Sequence, residues 1–152
     1  PPRKRLFLPA VTALLIAVLT GCSSTVALDP ALDATNPGCA EIIVRLPNTL
    51  ADLPLRETNA QATAAWGSPA AVLLRCGIEP SGPTTLPCVN VSGVDWIQDD
   101  SNAPSNRFVT FGRVPATEVI VDSNVVSAST VLIDLQKAIS ALPATKECLA
   151  AG

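Results

Sequence analysis

"RFVTFGRVPATEVIVDS", residues 107–123, holds two runs of β-branched and aromatic residues, Arg107–Arg113 and Ala116–Ser123, with Val114–Pro115 between them. Runs of this composition, bounded by Gly, Pro and Ser, read as strands. Proline has no backbone N–H to give to a ladder, so the break falls between two strands and not inside one. Working upstream, "SNAPSN" (101–106) is a loop, and "CVNVSGVDWIQDD" (88–100) reads as strand, turn at Ser92–Gly93, strand. "AAVLLRCG" adds a strand over Ala71–Cys76, whereas Thr49–Asn59, interrupted by Pro54, keeps neither period and reads as a connection.

Helices flank this block. In "NPGCAEIIVRLP" (36–47), Asn36 is a cap, Pro37 suits the first helical position, and Cys39, Ile42, Ile43 and Leu46 share one face until Pro47. In "STVLIDLQKAISAL" (129–142), Leu132, Leu135, Ile139 and Leu142 recur at helical spacing, with Asp134, Lys137 and Ser140 outward, and Pro143 ends the run. Consecutive strands joined by short turns favour antiparallel pairing. The expected fold is therefore α+β: an antiparallel sheet of four or five strands, an N-terminal and a C-terminal helix packed on one face, and two disulfides.

The first 22 residues have a separate logic. Arg3, Lys4 and Arg5 precede a 14-residue apolar run, Leu6–Leu19. That layout matches an export signal, and the run is shorter than the roughly 20 residues of a membrane-spanning helix. Leu19, Thr20, Gly21 and Cys22 resemble the lipobox of bacterial lipoproteins at all four positions. The resemblance implies cleavage after Gly21 and attachment of acyl chains, of the palmitate type, at Cys22. The expected organisation is a lipoprotein signal peptide over 1–21, a lipidated tether over 22–36 and one domain over 37–152. The tether would span about 20 Å as a flexible chain. The protein would then be exported and held on the outer face of the cell membrane.

Loss of Arg3, Lys4 and Arg5 leaves seven cations against thirteen acids, a formal charge near −6. Such a body is a poor fit to nucleic acid, whose phosphates are bound by Lys and Arg. The chain has no His, which removes the commonest general base and a common metal ligand. No cofactor, no metal and no enzymatic activity are expected. With Cys22 acylated, Cys39, Cys76, Cys88 and Cys148 remain, an even number that reads as two disulfides in an exported protein. Cys76 and Cys88 bracket a short turn-rich segment, and Cys39 and Cys148 lie near the ends of the domain, so Cys76–Cys88 and Cys39–Cys148 are the favoured pairs.

Candidate contacts for a ligand or partner are Trp66, Arg75, Asp95, Trp96 and Arg113. Arg75 sits inside an apolar strand and wants a carboxylate, from Asp95 or Glu118. It serves either to fix strand register or, with Arg113, to clamp an anion. Trp96 alternates with Asp95 and belongs to the core face. Trp66, beside Gly67 and Pro69, is an exposed anchor or a lid over the sheet. Asp99 and Asp100 are loop acids whose spacing matches no calcium loop.

The lipobox, "CAEIIVRLP", "VLLRCG", "GVDW", "FVTFGRVPATEVIV" and "LIDLQKAI" before a last cysteine together resemble an uncharacterised actinobacterial family of small exported lipoproteins, a domain of unknown function. The likeness covers about Cys39–Cys148 and implies no activity. The function expected is a non-catalytic binding or scaffolding module with an envelope protein as partner. The alternatives are a binder of a small anionic or glycan ligand and, more remotely, a carboxylate-dependent hydrolase using Asp95, Asp99 or Glu118.

Overall fold

The computed structural model describes residues 23–149. The proposed acylation site, Cys22, and the leader before it lie outside the described residues. In chain order the elements are α1 (Pro37–Ile43), β1 (Thr49–Leu50), β2 (Leu53–Arg56), β3 (Thr63–Trp66), β4 (Val72–Ile78), β5 (Cys88–Val91), β6 (Val94–Asp99), β7 (Ser105–Thr110), β8 (Ala116–Asp122) and α2 (Ala128–Ile139).

The strands form one eight-stranded sheet in the order β1-β2-β3-β4-β8-β7-β6-β5, with every pair antiparallel. This corrects the expected α+β fold of four or five strands: the protein is mostly β, with two short helices of 7 and 12 residues. Three strands were missed. β1 has two residues, β2 carries Pro54, and β3 is built on Ala64 and Ala65, so none offers a periodic run of strand-forming residues. Ala51 and Asp52, both at positive φ, turn β1 into β2 without a glycine, and the Ala51 N–H donates to the Asp134 carboxylate of α2 (2.8 Å). The turn at Ser92–Gly93 lies where the sequence places it, again with both φ angles positive.

Alternation along the strands divides the sheet into two faces. Val72, Leu74, Cys76, Val119, Val121, Phe108, Trp96 and Trp66 join Cys39 and Ile42 of α1 and Val131, Leu132, Leu135 and Ile139 of α2 in one buried cluster. This is the helix face. Asn36 caps α1 through the Gly38 N–H, as its sequence indicates. The opposite face is crossed by three irregular segments, the N-terminal residues 26–34, the β4–β5 connection and the C-terminal tail. Close approach is built in at Gly77, where a Cβ would lie 2.5 Å from the Asp33 carbonyl carbon, and the Asp33 N–H donates to the Gly77 carbonyl. The stretch read as a tether is thus hydrogen-bonded to the domain from Val26 onward, with Ser24 held by Arg56.

The two halves of the sheet, β1–β4 and β5–β8, meet at the β4–β8 ladder. Arg75 is paired across it with Glu118, and Arg107 flanks Glu118 from β7. Glu118 is 5% exposed, and its two carboxylate oxygens accept from Arg75 Nη2 (2.8 Å) and Arg107 Nε (2.5 Å). Of the two readings of Arg75, the register-fixing pair is the one this geometry supplies. Arg107 is a second partner that the sequence did not single out.

All four cysteines are in disulfides, but the pairing corrects the favoured one: the bonds are Cys39–Cys76 and Cys88–Cys148, with Cα separations of 5.5 and 5.8 Å. The reason is topological. After β4 the chain crosses to the far edge of the sheet before β5 begins, four strand spacings or about 19 Å away. Cys76 faces the helices and Cys88, opposite Ile97, faces the other way, so they cannot reach the roughly 7 Å Cα limit of a disulfide. The bonds indicate an oxidising, extracytoplasmic environment. Among the described residues no helix is long and apolar enough to cross a membrane.

Non-reducing peptide mapping with cleavage between Cys76 and Cys88 is expected to recover the 39–76 and 88–148 peptides; a 76–88 link would refute the topology. Each bond closes a loop (sequence separations of 37 and 60) for which chain entropy predicts a loss of about 4 kcal/mol on Cys→Ala replacement. Glu118→Gln leaves two guanidinium groups without their counter-charge. With both arginines over a third exposed, a loss of about 2 kcal/mol in urea unfolding is expected, between the surface and buried limits.

Candidate functional site

Five side chains were singled out as contacts, and the fold separates them. Trp66 and Trp96 are fully buried in the core, and Trp66 Nε1 donates to the Pro47 carbonyl (3.0 Å). Neither indole is available at the surface, which corrects the reading of Trp66 as an exposed anchor. Arg75 is committed to Glu118 and lines no cavity with Arg113, so the two do not form a clamp. Asp95 and Arg113 do come together, in a groove of about 480 Å³ shared with Asn90, Gly93, Glu147 and the Cys88–Cys148 bond.

The groove follows from local chemistry. Asn90 and Asp95 are cross-strand partners on either side of the Ser92–Gly93 turn, and both face away from the helices. Asn90 Nδ2 donates to Asp95 Oδ1 (2.6 Å), and the Gly93 N–H donates to Asn90 Oδ1 (3.2 Å). β7 continues one hydrogen bond past Thr110, from the Phe111 N–H to the Asp95 carbonyl, and then turns through Gly112. Gly112 has φ +72°, and a Cβ there would collide with the Lys146 carbonyl, so only glycine lets the tail pass. The tail is fixed at three further points: Thr145 donates to the Gly112 carbonyl through its N–H (2.7 Å) and hydroxyl (3.0 Å), the Cys148 N–H donates to Asp95 Oδ2 (2.7 Å), and Cys148 is bonded to Cys88.

Arg113 follows directly. Its side chain is buried, with 6% exposure, and Nε donates to the carbonyl of Leu142 in the turn that follows α2 (2.9 Å). Among the described residues Nη1 and Nη2 have no hydrogen-bond acceptor and no carboxylate within ion-pair distance, although Asp95 lines the same groove. Burial lowers the guanidinium pKa from the ordinary arginine value, opposed by the attraction of Asp95. A largely buried guanidinium with two donors open to a groove leaves room there for an anion.

On the far side of the Cys88–Cys148 bond lies a second groove of about 420 Å³, mainly apolar, lined by Leu86, Ile97, Phe111 and Leu149. The two share Cys88, Glu147, Cys148 and Leu149 as a common wall. Asn90 and Glu147 were not expected from the sequence; topology alone brings them beside Arg113. The remaining acids have other duties. Asp99 is half-buried, and the Ser101 hydroxyl and N–H hold its carboxyl below the usual carboxylate value. Among the described residues no group of three His, Cys, Asp or Glu could hold a metal ion.

Asp95→Ala removes the acceptor for the Cys148 N–H while the disulfide keeps the tail in place. The expected result is a loss of about 1–2 kcal/mol and faster hydrogen exchange at the tail amides, read by mass spectrometry. Unchanged exchange would show that the tail does not depend on Asp95.

No curated protein and no solved structure is significantly similar to the chain. One family, described as "Protein of unknown function (DUF3515)", matches residues 7–147. That span takes in the Cys39–Cys76 disulfide, all eight strands, both helices and the Arg113 groove except Cys148 and Leu149, so it stops one residue short of the Cys88–Cys148 bond. By this match the chain belongs to that family of proteins of unknown function.

Proposed function

We propose that the protein is a lipid-anchored, non-catalytic binding module of the cell envelope. Acyl chains on Cys22 hold it to the outer face of the cytoplasmic membrane, and the groove around Arg113 recognises its partner. The observation that carries the recognition half is Arg113 itself, a 6% exposed guanidinium whose Nη donors reach a cavity and find no acceptor among the described residues. A guanidinium whose stem is buried and whose free donors open onto a groove is placed to pair with an anionic group brought by a partner. The anchoring half rests on the Leu19–Cys22 lipobox, the cationic head before it and the oxidising environment indicated by the disulfides. Two acyl chains give stable attachment where one gives marginal binding.

A carboxylate hydrolase is the weaker reading. Asp95 anchors the tail, Glu118 is held by two arginines, and Asp99 caps its own turn, so each acid is engaged in structural bonds.

Two measurements test the proposal in cells of the source. Mass spectrometry of the mature protein is expected to show Cys22 at the N-terminus with acyl chains; an intact leader with a free thiol would overturn the anchoring. A photo-crosslinking residue at exposed Ala144, which lines the groove, is expected to capture a discrete partner that is lost on Arg113→Lys, whereas one at exposed Val44, just past α1, is expected to capture none. Equal capture from both positions would remove the groove as the recognition surface.

A further inference from the structure

We propose that the Arg113 groove takes a small zwitterion, a carboxylate accompanied by an ammonium group, as in a free amino acid or the two ends of a short peptide. The inference rests on the groove being the recognition surface and adds the class of ligand. The first half comes from the guanidinium. Nε is occupied by the Leu142 carbonyl, which orients the plane and leaves Nη1 and Nη2 as a pair of parallel donors. Two such N–H groups match the two oxygens of a carboxylate in an end-on fork, and desolvation strengthens the bond.

The second half comes from the charges around it. Asp95 and Glu147 line the same groove, so its fixed charge is one positive against two negative. A phosphate or other polyanion would gain Arg113 and be repelled by both carboxylates. A ligand bearing its own cation turns that repulsion into attraction. Asp95 already accepts from Asn90 and from the Cys148 N–H, whereas Glu147 is exposed and has no ion-pair partner among the described residues. Glu147 is therefore the ammonium partner, and Arg113 the carboxylate partner. A groove of about 480 Å³ suits a molecule of this size. The apolar groove across the shared wall, with Leu86, Ile97, Phe111 and Leu149, would favour an apolar side chain on the ligand.

The test is calorimetric titration and thermal shift of the full chain in detergent with L-alanine, alanyl-alanine, N-acetyl-alanyl-alanine, alanyl-alanine amide and inorganic phosphate. Alanine and the dipeptide separate a free amino acid from a peptide by the spacing of their charges. At least one of the two is expected to bind and raise the melting temperature, and the acetylated and amidated dipeptides to bind about tenfold more weakly than the free one, if the dipeptide is the form bound. Arg113→Lys, which keeps the charge and loses the fork, is expected to weaken binding of every carboxylate ligand. Glu147→Gln is expected to abolish the preference for a free amine while carboxylate binding survives. Phosphate binding as tightly as the zwitterions, insensitivity to blocking either end, or no binding by any of them would overturn the inference. Should Arg113→Lys fail to fold, the blocked ligands and Glu147→Gln decide the question with Arg113 in place. Crosslinking at Ala144 without zwitterion binding would remove this inference and leave the binding-module reading standing. An unmodified Cys22 would remove the anchor and leave these titrations unaffected.

Discussion

The β4–β8 ladder carries the architecture, because it is where two four-stranded meanders become one sheet. Its register is fixed twice over. On one face Val72, Leu74 and Cys76 meet Val121, Val119 and Thr117 over the core, and on the other Arg75 meets Glu118. A slip by one residue would send Glu118 into the apolar layer and its valine neighbours out of it. The ion pair thus contributes specificity beyond whatever it adds to stability, which for partly exposed arginines is modest. A bulge between Cys76 and Ile78 ends the regular pairing where the N-terminal segment crosses.

That segment and the tail show how a thin sheet is covered without a second layer of helices. Gly77 and Gly112, both at positive φ, sit where another backbone passes at a distance that no side chain would allow. The strand edges beside them supply hydrogen bonds, so the crossing chains satisfy their own polar groups instead of burying them bare. One disulfide lies on each side of the sheet. Cys39–Cys76 fastens α1 to the core, and Cys88–Cys148 fastens the tail to the strand edge. The Arg113 groove is a product of the second of these.

Features encoded over a few neighbouring residues were legible in the sequence, and features made by topology were not. Asn36–Pro37, Ser92–Gly93 and the Leu132–Leu135–Ile139 spacing each specify a local geometry, and each is found. β1 to β3 depend on partners rather than on their own two to four residues, so Pro54 and the Ala64–Ala65 pair concealed them. Cysteine pairing turned on which face and which edge each thiol occupies, and sequence proximity misled because the chain leaves β4 for the far edge. Of the groove, Arg113 and Asp95 were visible as charges among apolar residues. Asn90, between Val89 and Val91, reads as the ordinary outward residue of an alternating strand, and Glu147, beside Lys146, as a solvated charge of the tail, so neither signals a groove.

The grip of Arg56 on the Ser24 carbonyl and on Gly67 decides how the molecule would stand on a surface. Ser24 is thereby fixed at one corner of the sheet, beside β2. β6, which carries Asp95, is five strands away, about 24 Å at the usual strand spacing. For a chain attached at Cys22, as proposed, the breadth of the sheet would thus separate the mooring corner from the mouth of the groove.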